Sequence, residues 1–270
     1  MAATIPAKAL WHADMAQLQS QELTGLTAVV TGSSSGIGRA VAMELASAGA
    51  DVMVHAAHNQ SGAEETAEAV RQLGRKTLVE TADFADPEAV DKFAAAAWDW
   101  HHGADIWINN AGADILIGSA AKLIFAQKLD LLWKIDVQAT IQLSRQIGER
   151  MRKRGHGVIV NVGWDQVETG MAGDSGELFA ATKGAVTAFS RSLAKSLAPK
   201  VRVNCVAPGW IKTEWGQSAS DEWQRRAARE SMLGRWGTPE DVAKTIRFLV
   251  SPAADFMTGQ VIAVNGGWAR

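Results

Sequence analysis

The sequence has no tyrosine, a single cysteine and no apolar run long enough to cross a membrane. With no tyrosine among 270 residues, no phenol is available anywhere in the chain as a proton donor or acceptor. The lone Cys205 excludes an internal disulfide and fits the reducing cytoplasm, the compartment expected. Nothing approaches the roughly 20 apolar residues of a bilayer span. Residues 1–23 also lack the apolar centre of a secretory signal. An excess of charge of either sign is missing as well, since 27 basic residues stand against 29 acidic ones. That balance leaves no footprint for nucleic acid or an anionic membrane surface. Internal repeats and low-complexity linkers are absent, so one domain over 24–270 is expected. Residues 1–23 read as an extension, either loose or docked through Trp11.

What is present is an ordinary globular composition, 47% hydrophobic and 21% charged, with eleven tryptophans. Seven phenylalanines are too few to have absorbed a full set of tyrosines, so the bias to tryptophan reads as native to the sequence.

Short apolar runs alternate with longer helical patterns. Strands are expected at 26–30, 51–55, 76–80, 105–109, 157–162, 201–206 and 261–264. Helices are expected at 39–48, 62–73, 87–100, 125–152, 177–198 and 239–249. Strands that are apolar throughout and separated by helices predict an α/β fold. It is a single-domain, Rossmann-like, doubly wound parallel sheet with helices on both faces.

Between the first strand and first helix lies TGSSSGIG, residues 31–38. Gly32, Gly36 and Gly38 permit a tight turn, close approach of backbone to phosphate, and close helix–strand contact. The helix that follows offers free N–H groups to a pyrophosphate, so Ser34, Ser35 and Ile37 join the glycines as candidate cofactor contacts. NAD-binding sheets usually place an acid after the second strand, about 20 residues beyond the glycine loop. Here the region reads His55-Ala56-Ala57-His58-Asn59, with no acid and no Arg or Lys. NADP is therefore expected, with NAD possible; His58 and Asn59 either donate to a 2′-phosphate or are plain loop residues.

With these motifs the chain resembles the short-chain dehydrogenase/reductase family, from about Leu26 to the C-terminus. TGSSSGIG follows that family's glycine pattern, and Asn109-Asn110-Ala111-Gly112 its NNAG motif. Asp83 matches the acid that holds adenine. Pro208-Gly209 with Ile211 and Thr213 match the loop that closes over the nicotinamide. Gly234-Arg235, Pro239-Glu240, Thr258-Gly259-Gln260 and Asn265-Gly266-Gly267 follow its C-terminal pattern. The resemblance implies dinucleotide binding through Gly32, Ser34, Ser35, Gly36, Ile37, Gly38, Asp83, Asn110, Ala111, Gly112, Lys183, Pro208, Gly209, Ile211 and Thr213. It also implies a homotetramer or homodimer built on the helices at 125–152 and 177–198, where Ala180, Ala181, Gly184 and Ala185 form a small-residue face.

The same resemblance implies a Tyr-xxx-Lys pair on the helix after the fifth strand, a serine at that strand's end and an asparagine in the preceding helix. The spacing lands the pair on Phe179 and Lys183, the serine on Trp164 or Asp165, and the asparagine on Asp136. Phenylalanine has no ionisable proton and cannot serve as acid or base. The candidate catalytic residues are thus Lys183, Asp165 and Asp136. Asp165, Glu168, Asp174 and Glu177 form either a solvated acidic loop or a source of one carboxylate that replaces the tyrosine. A carboxylate between a tryptophan and a nicotinamide is desolvated and its pKa rises toward neutrality. Asp165 leads, because it sits at the strand's C-terminal end, where ligands bind in such sheets. Lys183 either clamps ribose hydroxyls or itself carries the proton.

Trp133, Trp164, Trp210 and Trp215 are candidates for an aromatic wall against a flat substrate. His101 and His102 lack further ligands nearby and read as a helix end, so no metal is expected. The readings left open are an oxidoreductase acting on a small carbonyl or alcohol, a lyase or hydratase on the same fold, and a nucleotide sensor without turnover.

Overall fold

The computed structural model describes residues 21–267. Its framework is a seven-stranded, all-parallel sheet in the order β3-β2-β1-β4-β5-β6-β7. The strands are β1 (Thr27–Val30), β2 (Asp51–Ala56), β3 (Thr77–Thr81), β4 (Ile106–Asn109), β5 (Gly157–Val162), β6 (Val201–Pro208) and β7 (Val261–Val264). The helices are α1 (Gly36–Ser47), α2 (Gln60–Gln72), α3 (Pro87–Asp99), α4 (Phe125–Leu132), α5 (Ala139–Arg154), α6 (Asp174–Leu197), α7 (Glu214–Ser218), α8 (Asp221–Glu230) and α9 (Pro239–Val250).

Side-chain alternation along the central strands divides the core in two. Ala28, Val30, Val52, Val54, Ile106 and Ile108 face α1, α2 and α9, packed with Val41, Leu45, Val70 and Ile246. Val29, Met53, Trp107 and Ile159 face α3, α5 and α6, packed with Phe93, Leu143, Ile147 and Leu193. All of these are essentially inaccessible to water. The expected doubly wound architecture is the one observed, with strand order reversing between β1 and β4. In such sheets the crevice at that switch point, outside the strands' carboxyl ends, is where ligands bind.

A polar chain crosses the second core where β4, α5, β5 and α6 meet. Trp107 Nε1 donates to Asn109 Oδ1 at 2.8 Å. Asn109 Nδ2 donates to Ser144 Oγ and to Asn161 Oδ1, each at 2.8 Å, and Asn161 Nδ2 donates to Ser190 Oγ at 2.8 Å. All five side chains are buried, so the network ties the strand ends under the crevice to the helices that flank it.

Three expectations change. The helix expected at 125–152 is broken by a π-helical turn over Trp133–Gln138, whose wider i→i+5 loop carries Asp136 inward. The extension does not run to residue 23: Leu23 is fully buried, its N–H donates to Ala48 O at 2.8 Å, and Glu22 pairs with Arg247 at 2.7 Å. Trp11 lies outside the described residues. Finally, α7 and α8 fill a stretch whose sequence predicts no element, because α8 is strongly polar on most of its surface and buries only Ala227 fully.

Candidate active site

The glycine loop is built so that backbone approaches backbone. A Cβ on Gly38 would sit 2.1 Å from Gly32 O, and one on Gly32 would sit 2.8 Å from Ala111 Cα. Gly32 and Gly36 hold φ of 65° and 53°, in the left-handed region that suits glycine. Asn110 Nδ2 donates to Thr31 O and Gly32 O at 3.0 Å, and Thr31 Oγ1 accepts from the N–H groups of Asn110 and Ala111 at 3.0 Å. The NNAG segment thereby locks the loop from β4. Ser35, at the N-cap of α1, makes no side-chain capping bond, so the first-turn N–H groups of this helix are left for an anion. A cradle too tight for a Cβ at Gly32 or Gly38, ending in an uncapped helix N-terminus, fits a dinucleotide pyrophosphate.

The loop has a second anchor that sequence reading missed. His55 is 2% exposed, its Nδ1 accepts from Gly32 N–H at 3.0 Å, and its Nε2 donates to Ala82 O at 3.0 Å. Its ring stacks on Phe84 at 4.2 Å. Burial pushes its pKa down to about 4, so it is a neutral strut between the glycine loop and the end of β3. The signal available was a histidine inside an apolar strand. Arg39, also missed, bonds Ser34 O at 2.8 Å, Gly62 O at 3.0 Å and Thr66 Oγ1 at 3.0 Å, joining the glycine loop to α2.

His58 and Asn59 lie on the exposed loop after β2. Asn59 is committed to capping α2, accepting from Gly62 N–H at 3.0 Å, while His58 reaches Asp83 at 3.7 Å. Asp83 accepts from Ala85 N–H at 2.9 Å at the end of β3.

A cleft of about 640 Å³ opens beside the loop, lined by Ile37, Asn110 and Gly112 on one side and by Pro208, Gly209, Ile211 and Thr213 on the other. Thr213 reaches back toward Gly36, whose Cβ would lie 3.6 Å from Thr213 Cγ2. On the cleft floor Lys183 Nζ meets Asp136 Oδ2 at 2.8 Å and donates to Val162 O at 3.3 Å. Asp136 is 2% exposed, and its Oδ1 accepts from Ala113 N–H at 2.8 Å. Gly112 has no room for a Cβ beside this carboxylate, which would stand 2.8 Å away. The structure thus brings two of the three candidate catalytic residues into one buried ion pair facing the cleft.

Asp165 stands elsewhere. Its pKa is raised to about 6 because burial penalises the charge, the direction expected of it. However, it is not among the groups lining the cleft. Its Oδ2 accepts from Asn265 Nδ2 at 3.0 Å behind Gly209, whose Cβ would lie 2.9 Å from that oxygen, and its Oδ1 is buried with no hydrogen-bond partner within reach among the described residues. Trp164 faces the cleft in its place, with its ring 6.1 Å from that of Phe179.

Trp210 and Trp215 line the cleft as expected, stacked at 6.1 Å, and Trp223 of α8 joins them, 5.3 Å from Trp210. Trp133 does not; it sits on the π-helical turn, 42% exposed. Trp223 was out of reach of the sequence because nothing announced α8.

Comparison with known proteins decides the family. Residues 32–269 match the family model described as Enoyl-(Acyl carrier protein) reductase. The 3-oxoacyl-(acyl-carrier-protein) reductase FabG of Aquifex aeolicus is 34% identical, over 91% of this chain and 98% of that one. The chain is a short-chain dehydrogenase/reductase. By that membership it is an NAD(P)-dependent oxidoreductase.

Solved structures of the family superpose closely. A 7α-hydroxysteroid dehydrogenase in complex with NADH and 7-oxo glycochenodeoxycholic acid has a TM-score of 0.84 at 28% identity, covering 93% of this chain and 97% of its own. The L-sorbose reductase of Gluconobacter frateurii with NADPH and L-sorbose has a TM-score of 0.82 at 29% identity, covering 92% and 98%. Both dinucleotides thus occur among the relatives. Among the described residues no helix is long and apolar enough to cross a membrane.

Proposed function

We propose that this short-chain dehydrogenase/reductase prefers NADP(H) and uses the Asp136–Lys183 pair to position and polarise the group that reacts, exchanging hydride with a small, flat, apolar substrate. A carbonyl or alcohol carbon is the class suggested by the reductase and dehydrogenase names of its relatives. The carrying observation is the 2.8 Å ion pair on the cleft floor, next to Phe179 and Trp164, in a chain with no tyrosine.

When bound, the dinucleotide supplies or takes the hydride. The residues of the chain do the rest. The first turn of α1 and the backbone of the glycine loop hold the pyrophosphate, with His55 and Asn110 keeping that loop rigid. Asp83 and the loop at His58 and Asn59 stand at the adenosine end. The absence of a carboxylate from residues 55–59 supports NADP over NAD, since it spares a 2′-phosphate from repulsion. Trp164 and Phe179 exclude water from the reacting carbon. Lys183 Nζ faces the oxygen that gains charge, and Asp136 fixes the ammonium's position and charge.

Helices α5 and α6 are the proposed interface of a homodimer or homotetramer, since Ala180, Ala181, Gly184 and Ala185 on α6 remain partly exposed and permit close approach. A cytoplasmic location accords with the single, buried Cys205.

The test follows the absorbance of the reduced dinucleotide while carbonyl compounds are offered to the wild type and to Lys183→Met. Loss of turnover by about a hundredfold or more in the variant is expected when a group that positions and polarises the reacting group is removed. Full turnover without the lysine would refute the assignment.

A further inference from the structure

The charges and ring faces of the cleft narrow the substrate class, on the premise that the oxidoreductase reading above holds. Three carboxylates line it, Asp114, Asp136 and Asp174, against one ammonium, Lys183. Asp136 neutralises that ammonium at 2.8 Å, so the floor does not repel a cation. Asp114 and Asp174 are exposed and enter no ion pair among the described residues. The walls are the rings of Trp164, Phe179, Trp210, Trp215 and Trp223, whose faces carry negative quadrupole charge. Arg226, which does not line the cleft, already uses two of these rings, standing 4.8 Å from Trp223 and 5.6 Å from Trp210. Its own charge is neutralised by Glu230 at 2.7 Å.

We propose that the cleft takes a cationic substrate with a carbon–nitrogen double bond, an iminium ion on a flat apolar skeleton. A carbonyl that receives hydride becomes an alkoxide and must be given a proton. The groups facing the cleft that hold one are Lys183 and the hydroxyls of Ser175 and Thr213. Proton release by Lys183 would strand the Asp136 carboxylate, 2% exposed, without its counter-charge.

An iminium ion removes that demand. Its carbon would take a hydride pair, the C=N π pair would withdraw to nitrogen as a lone pair, and a bound reduced dinucleotide would be the two-electron reductant. The product is a neutral amine, and no proton enters the balance. One substrate class then accounts for three features of the cleft together. No acid stands at Phe179, an indole rather than a hydroxyl stands at Trp164, and Asp136 cancels the charge of Lys183. Loss of the cationic charge on reduction also weakens the product's hold on the rings and rim carboxylates.

The test begins without dinucleotide. Tryptophan fluorescence and calorimetry follow titration with a cyclic N-methyl iminium salt of the dihydroisoquinolinium type and with tetralone, a neutral bicyclic ketone of similar shape. The cation should bind about tenfold tighter at low salt. Asp114→Asn/Asp174→Asn should weaken the cation by on the order of fivefold and leave tetralone unchanged. Both side chains are exposed, and asparagine keeps the oxygen that accepts from Leu116 N–H, so the fold is retained. With NADPH added, the iminium salt should be reduced faster than tetralone.

Equal affinity for the two probes, or cation binding indifferent to the double variant, overturns the proposal. Reduction of tetralone but not of the iminium salt overturns it too and leaves the oxidoreductase reading standing. Failure to bind any of the nicotinamide dinucleotides removes both.

Discussion

Replacing Lys183 by methionine would leave the Asp136 carboxylate, 2% exposed, without its counter-charge and with the Ala113 N–H as its remaining partner among the described residues. Removing one member of a buried pair typically costs 3–5 kcal/mol, because the remaining charge is stranded. The Lys183 side chain is 13% exposed, which lets some water reach the site and puts the expectation near the lower end, about 3 kcal/mol. For a chain of this size that corresponds to a fall in Tm of roughly 8 °C.

The double variant Asp136→Asn/Lys183→Met removes both charges and keeps an acceptor for Ala113 N–H. Its loss should shrink to about 1 kcal/mol, so that the second substitution rescues most of the damage done by the first. Thermal or urea unfolding followed by tryptophan fluorescence at neutral pH reads both. High salt should change the gap little, since a buried pair is weakly screened. If the single and double variants unfold together, the pair is not the buried, mutually dependent unit described, and the cleft floor carries a free ammonium instead.

Three further outcomes are expected. Gly38→Ala drives a methyl into Gly32 O and Asn110 Nδ2, spreading the glycine loop. Dinucleotide affinity should fall by about a hundredfold, close to 3 kcal/mol, by calorimetry. His55 has a folded pKa of about 4 against 6.5 unfolded, so its contribution is complete above 6.5 and lost as pH falls through 4. Wild type should lose about 3 kcal/mol over that window in unfolding measurements, and His55→Gln should show a flatter profile. Asp165 has the opposite sign. A folded pKa raised to about 6 means that stability is full below the unfolded value of 3.8 and lost as pH rises through 6. Asp165→Asn should therefore gain about 2 kcal/mol near pH 8 and nothing near pH 4, with turnover unchanged because the side chain does not line the cleft.

Legibility in the sequence followed locality. The strands at 157–162 and 261–264 matched residue for residue, since buried parallel strands read as uninterrupted apolar runs between turn residues. The glycine loop and NNAG segment were legible because close backbone contact leaves glycine as the sole residue that fits. What depended on three-dimensional detail was not. The residues at 125–154 keep helical spacing throughout, and the π-helical turn that swings Asp136 toward Lys183 leaves no mark in that pattern. Asp165 was rightly expected to be desolvated, but its rotation behind Gly209 toward Asn265 is a matter of side-chain direction. His55 looked like one more residue in a loop without acid, and its strut to Gly32 and Ala82 spans 23 and 27 positions of sequence. Trp223 joined the aromatic wall through a helix that buries almost nothing of itself.

The central claim is that the glycine loop and cleft hold a nicotinamide dinucleotide, with the phosphorylated form preferred. Calorimetric titration of the cofactor-stripped protein with NADPH, NADP, NADH and NAD tests it, with Gly38→Ala as the control. The account predicts binding of the NADP pair at about micromolar Kd or tighter, weaker binding of the NAD pair, and both weakened about a hundredfold in the variant. Wild-type protein that binds none of the four would contradict it.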